Sequence, residues 1–287
     1  MRFHNPPATY VSSLQIKTAD LDRALKFYRS VVGFQVLERV GNSAILSADG
    51  QRAILSLVQP AEVQPKQFKT TGLYHFALLL PERSDLAAFV THLAKQGVRF
   101  GASHHLVSEA IYFYDPEDNG IEVYVDTDPA TWNWRESKVA MDTIPLDFGD
   151  LLSSAGPEKQ VWKGLPPATV IGHIHLHVSY LGQAEEFYTK GLGFQIASRY
   201  RDSASFLSTD QYHHHIALNT WNGVGAPRPP KNSVGLDFYT LVLPSQEKME
   251  QAVSRLRAMN SPLEQLGSQF MVEDPAGNRI LLTAVPS

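Results

Sequence analysis

An internal repeat limits the fold of this chain more than any other feature of its sequence. Residues 21–35 read LDRALKFYRSVVGFQ, and residues 181–195 read LGQAEEFYTKGLGFQ. One offset carries Phe27-Tyr28 onto Phe187-Tyr188 and Gly33-Phe34-Gln35 onto Gly193-Phe194-Gln195. A second pair of segments matches as well: GLYHFALLLP (72–81) with GLDFYTLVLP (235–244), and DPEDNGIEVY (115–124) with DPAGNRILLT (274–283). Such agreement points to duplication, and a duplicated chain is read unit by unit.

Four units emerge, each a strand, a helix and a run of strands. Apolar residues at helical spacing, such as Leu21, Leu25, Tyr28 and Val32, mark the first helix. Gly33 and Gly193 sit where a helix stops in a left-handed residue. SDLAAFVTHLAKQGV reads as the helix of the second unit, and alternating stretches such as VSSLQIK read as strands. The fold class is therefore α+β, built from four βαβββ modules over 8–60, 70–126, 169–222 and 234–286. Residues 126–168, rich in Pro, Trp, Asp and Ser, form a connector between an N-terminal half (1–125) and a C-terminal half (169–287). Asn222–Ser233 reads as a Pro- and Gly-rich loop.

Composition narrows the function. Net charge is −4 with no basic run, which argues against nucleic acid and against an anionic membrane surface. No apolar run approaches the roughly 20 residues needed to span a bilayer. MRFHNPPATY has no apolar core of a secretion signal, and the chain has no cysteine, so the cytoplasm is the expected location. Without cysteine there is no disulfide, thiolate zinc site, iron–sulfur cluster or cysteine nucleophile. Any metal must be held by histidine, carboxylate, amide or water. The 11 histidines allow that, and most are clustered: His104-His105, His173/His175/His177 and His213–His215.

His75 stands alone in an apolar run, and Glu122 stands between Ile121 and Val123. A single histidine in such a place is ordinarily a satisfied core residue. A carboxylate there is rarely buried without a partner.

A βαβββ unit repeated four times resembles the vicinal-oxygen-chelate superfamily, which includes glyoxalase I, fosfomycin resistance proteins and extradiol ring-cleaving dioxygenases. The resemblance covers nearly all of the chain except the connector. It implies that two units form one curled, mostly antiparallel eight-stranded sheet, giving two half-barrels. It also implies metal ligands from the first strand of one unit and from the first and last strands of its partner. Carried onto this chain, those positions are Ser13 in the first unit, His75 and Glu122 in the second, His173 in the third, and Phe238 and Leu281 in the fourth. Neither half of the sequence holds two histidines and a carboxylate, whereas units two and three together do. The expected pairing therefore crosses sequence order, with His75, Glu122 and His173 as ligands. Sequential pairing with an incomplete site is the competing arrangement. His175 is the alternative ligand if the register slips by two. Two histidines and a carboxylate on one face suit Fe(II), with Mn(II) as the other candidate.

The same resemblance assigns three further roles. Tyr112, one strand before Glu122, would hydrogen-bond a substrate oxygen. His105, or its neighbour His104, would help fix the substrate. One histidine of DQYHHHIALNTW (210–221) would act as acid/base near dioxygen. If that stretch is the last strand of its unit, alternation puts His213 and His215 on one face and His214 on the other. His215 is the first choice and His214 the second. The implied reaction is extradiol cleavage of a catechol-type diol with dioxygen, giving a 2-hydroxymuconate semialdehyde-type product. The implied partners are a small aromatic diol and dioxygen, and a homo-oligomer is expected only on general grounds. Two other functions compete: a glyoxalase I-like isomerase, disfavoured because Ile216-Ala217-Leu218 offers no carboxylate, and a non-catalytic binding protein of the same fold.

Overall fold

In the computed structural model, which describes residues 2–155 and 161–285, each unit has its βαβββ order. The first comprises β1 (Tyr10–Lys17), α1 (Leu21–Phe27), β2 (Gln35–Val40), β3 (Ser43–Ser47) and β4 (Leu55–Val58). The second comprises β5 (Gly72–Leu79), α2 (Arg83–Lys95), β6 (Gly101–His104), β7 (Ser108–Tyr114) and β8 (Gly120–Asp126). The connector is not featureless. It carries a short hairpin, β9 (Trp134–Arg135) and β10 (Lys138–Val139), and a helix, α3 (Phe148–Ser153). The third unit comprises β11 (Val170–His177), α4 (Leu181–Glu186), β12 (Gln195–Tyr200), β13 (Ala204–Ser208) and β14 (Ile216–Asn219). The fourth comprises β15 (Gly235–Leu243), α5 (Gln246–Ala258), β16 (Leu263–Leu266), β17 (Gln269–Glu273) and β18 (Arg279–Ala284).

Two eight-stranded sheets result, ordered β16-β17-β18-β15-β1-β4-β3-β2 and β12-β13-β14-β11-β5-β8-β7-β6. Units one and four share the first sheet, and units two and three share the second. Within a unit the first strand runs parallel to the last, as in β1–β4 and β5–β8. Where two units meet, the first strands pair antiparallel, β1 with β15 and β11 with β5. The main core gathers residues from both sheets and the helices, among them Leu14, Leu46, Phe76, Phe89, Ile174 and Leu241. No helix among the described residues is long and apolar enough to cross a membrane.

The repeated motifs have a structural cause. After α1 and α4 the chain widens into a π-helical turn, Tyr28–Val32 and Phe187–Gly191. Gly33 (φ 97°) and Gly193 (φ 87°) then carry it out through the left-handed region. The turn buries Tyr28 and Tyr188, and each donates from its hydroxyl to an aspartate of the next unit. Tyr28 reaches Asp115 at 2.8 Å and Tyr188 reaches Asp274 at 3.1 Å. Each aspartate also caps its own turn, accepting from the backbone and side-chain amides of Asn119 or Asn278. The D-P-x-x-N signature thus closes the hairpin before β8 or β18 and ties one sheet to the other.

Candidate metal centre

The site lies on the concave face of the second sheet. Alternation along β5 sends Phe76 and Leu78 into the main core, while His75, Ala77 and Leu79 face the other way. On one side of β5, His173 of β11 pairs with Ala77 and His175 pairs with His75. On the other side, Glu122 of β8 pairs with Ala77. Ala77 is thus flanked by Glu122 and His173, and its methyl group leaves room between them. A bulge at Gly172 resets the register of β11 just before His173. A side chain there would collide with the buried Tyr124 ring. Gly120, opposite His75 at the start of β8, has as little space. A Cβ added there would run into the backbone oxygen of Tyr74 and approach the Cβ of His75. Gly120→Ala is therefore expected to push β8 off β5 and cost about 3 kcal/mol, a fall of roughly 5–10 °C in the thermal midpoint.

Three donor atoms converge. His75 Nε2 and His173 Nε2 each lie 3.0 Å from Glu122 Oε2, and 3.3 Å from each other. All three residues are buried. They form a cluster able to hold a metal ion. Three donors held cis on an octahedral ion at about 2.1 Å stand about 3.0 Å apart, against about 3.4 Å for tetrahedral donors. The observed spacings of 3.0 to 3.3 Å span that range, so one ion could be held by all three donors. Electrostatics favour the same state. Burial pushes the Glu122 carboxyl up, but the two imidazoles outweigh it and hold it well below the usual carboxylate range. Burial lowers His173 to about 4 against the pull of Glu122, so its ring is neutral near pH 7. An ionised carboxylate and a neutral imidazole are the forms that bind metals.

The cluster opens into a cavity of about 580 Å³ lined in part by Tyr112, His105, His175 and His214, with Tyr74, Phe206 and Trp221 as aromatic walls. Tyr112 stands across from Glu122 in the β7–β8 pairing. Burial and the Glu122 charge raise its phenol well above the ordinary value, so it stays protonated. Its hydroxyl lies 2.7 Å from His105 Nε2, and His105 Nδ1 lies 2.9 Å from the Asp142 carbonyl oxygen. The connector thus fixes His105: Nδ1–H donates to Asp142, so Nε2 accepts from Tyr112. His104 turns away and accepts from the Leu106 amide through Nδ1.

The structure places the HHH histidines differently from the alternation argument. The strand β14 begins only at Ile216, and residues 210–215 bend, with Asp210 (φ 54°) and Gln211 (φ 57°) in the left-handed region. Period two cannot be extrapolated through such a bend. His215, the first choice, does not face the cavity: its Nε2 lies 2.9 Å from the Phe3 carbonyl oxygen, and its Nδ1 accepts from the Thr209 amide. His214 lines the cavity instead, with its ring centroid 4.1 Å from that of His173. Burial keeps His214 and His215 well below the ordinary imidazole value. His175 reaches the cavity from beside the cluster, with its Nε2 buried and unpartnered.

Three features of the site have no sequence signal that points to them. Tyr74 is the extra residue of a β5 bulge, between the pairs His175–His75 and Leu176–Leu73. Trp221 stacks edge-on against Tyr74 from the loop after β14. Asp142 belongs to the connector. The positions equivalent to the cluster in the other sheet follow the same register, with Ser13 opposite Thr240 and Gln15 opposite Phe238. There Ser13 Oγ donates to Thr240 Oγ1 at 3.1 Å, and Phe238 and Leu281 offer no donor.

Comparison with known proteins agrees with this architecture. The chain is 44% identical to the catechol-2,3-dioxygenase of Bacillus subtilis (strain 168) over 270 residues, 93% of this chain and 94% of that one. A putative dioxygenase from Bacillus subtilis shares the fold with a TM-score of 0.67 at 11% identity, covering 97% of this chain and 86% of that one. Glyoxalase I from Zea mays does so with a TM-score of 0.58 at 14% identity, covering 96% and 92%. One family model matches twice, over residues 11–123 and 170–282, once in each duplicated half. With both halves matched, and with His75 and Glu122 from the first half meeting His173 from the second, the chain belongs to the glyoxalase/bleomycin resistance protein/dioxygenase superfamily.

Proposed function

We propose that this chain is an extradiol dioxygenase, which opens a catechol-type aromatic diol with dioxygen and releases a 2-hydroxymuconate semialdehyde-type product. The observation that carries the reading is the cluster of His75, Glu122 and His173 at the floor of an open, aromatic-walled cavity. The 44% identity to a protein named catechol-2,3-dioxygenase supports it. Fe(II) is the ion that best suits two imidazoles and a carboxylate with open positions, and Mn(II) accepts the same donors. When bound, the ion would supply Lewis acidity and hold diol and dioxygen together.

The remaining tasks fall to side chains. Tyr74, Phe206 and Trp221 offer apolar faces to a flat ring. The Tyr112 oxygen can accept a hydrogen bond from a diol hydroxyl, while its own hydrogen goes to His105, which Asp142 pins in place. His214 enters neutral, so it can take a phenolic proton and return it later in the reaction.

The test is anaerobic reconstitution with Fe(II), addition of catechol and admission of oxygen. Oxygen uptake with formation of a yellow ring-fission product is expected, and no uptake with any simple catechol would refute the reading. His214→Ala should lower kcat by roughly 10²- to 10³-fold. His215→Ala should instead lower the thermal midpoint and leave kcat within a few-fold, because that ring anchors the Phe3 segment and does not face the cavity.

A further inference from the structure

Behind His214 the structure holds a hydrogen-bonded chain that ends on a carboxylate. His214 Nδ1 lies 2.8 Å from His213 Nδ1, and His213 Nε2 lies 2.9 Å from Asp126 Oδ1. The same Asp126 oxygen accepts the Tyr212 hydroxyl at 3.1 Å, and the Tyr212 and Tyr124 hydroxyls lie 2.6 Å apart. His213 is fully buried, and Tyr212 and Trp132 flank its ring with centroids at 4.0 and 5.2 Å. Neither Asp126 nor His213 lines the cavity.

Proton counting fixes the sense of this chain. An ionised carboxylate only accepts, so His213 Nε2 carries the hydrogen. With His213 neutral, its single N–H is spent on Asp126 and its Nδ1 is bare. Two ring nitrogens 2.8 Å apart share one hydrogen, and it must come from His214 Nδ1. His214 Nε2 is then the bare nitrogen, at the end of the ring away from His213 on a residue that lines the cavity. Free imidazole side chains in water favour the opposite tautomer, with the hydrogen on Nε2. The nitrogen a histidine offers is set by the hydrogen bond that its other nitrogen makes.

We infer that Asp126 and His213 are positioning residues that lock His214 in its Nδ1–H tautomer, so that a bare Nε2 faces the substrate cavity. The inference rests on the dioxygenase reading only for its kinetic consequence. The hydrogen-bond chain stands on geometry alone. It joins the two halves of the sequence: the carboxylate closes β8, which also carries Glu122, and the histidines precede β14.

The experiment is long-range ¹H–¹⁵N correlation of the histidine rings in the full chain loaded with Zn(II), a diamagnetic ion, alongside oxygen-uptake kinetics of the Fe(II)-loaded chain. His214 is expected to show a protonated Nδ1 and a bare Nε2. His213→Phe keeps a ring in the stack but removes the acceptor, and should return His214 to the Nε2–H tautomer. It should also lower kcat for a catechol at least about tenfold with KM changed little. A wild-type His214 carrying its hydrogen on Nε2, as a cationic His213 would impose, overturns the inference. So does a tautomer switch in His213→Phe that leaves kcat unchanged. If the variant does not fold, the wild-type spectrum decides the tautomer. A wild-type chain with the Nδ1–H tautomer that consumes no oxygen with any catechol would sink the dioxygenase reading and leave the hydrogen-bond chain supported.

Discussion

His173→Ala is expected to remove metal binding as completely as His75→Ala, although the two residues lie in different halves of the sequence. Each variant leaves two donors of three. A bound ion would then lose one of its close bonds, and the buried Glu122 would lose one of the imidazoles that offset its burial. Changing an outer-shell partner already costs a metal site about 10- to 100-fold in affinity, so losing a direct ligand should exceed 100-fold. Titration of Fe(II) or Mn(II) into metal-free protein reads this directly. His175→Ala is the control. It lies opposite His75 and lines the same cavity, but stands outside the donor cluster, so its variant should still bind the ion. Full metal occupancy in His173→Ala, or its loss in His175→Ala, would show that the register of β11 has been misread.

Mild acid should unfold the metal-free protein. Burial holds His4, His173 and His177 down to about 4, and His175, His214 and His215 well below their ordinary value of 6.5. Between about pH 4 and 6.5 the unfolded chain binds protons that the folded chain excludes. Stability therefore rises with pH across that window, is fully present above about 6.5, and is lost as the pH falls toward 4. Each such histidine contributes up to about 1.4 kcal/mol per pH unit, so even two acting independently take away about 3 kcal/mol between pH 6.5 and about 5. A domain fold has only about 5–15 kcal/mol to lose. Urea denaturation of the metal-free chain at several pH values should show the decline, and a bound ion should delay it by competing with protons for the ligand histidines. An unfolding free energy that stays flat from pH 7 to 5 would contradict these environments.

Much of this architecture is legible in the sequence because duplication makes each unit a check on the others. Phe27-Tyr28 and Phe187-Tyr188 stand out because both tyrosines must reach an aspartate in the next unit. The D-P-x-x-N pairs stand out because each aspartate closes a turn on its own asparagine. The pairing of units two and three could be inferred because Phe238 and Leu281 cannot bind a metal. The orientation of the HHH histidines was not legible. It depends on left-handed residues at Asp210 and Gln211, which L side chains adopt only when the surrounding fold demands it. Nor could the sequence show that the connector pins His105 through a backbone carbonyl, because such a contact leaves no side-chain signature.

The crossed pairing has a consequence for the origin and assembly of the molecule. Exchange units one and two with three and four, and one sheet maps onto the other, as in a symmetric pair of half-length chains later joined end to end. Such a pair would hold two equivalent clefts. In this chain one has filled with Ser13, Phe238 and Leu281, and the described residues keep a single donor cluster, for one ion per chain. Fusion frees the second cleft from chemistry while the connector, which a half-length chain would lack, supplies Asp142 to the first. It also sets the timing of synthesis: no donor set is complete on the ribosome until His173 has emerged, so the ion cannot guide the folding of the first half.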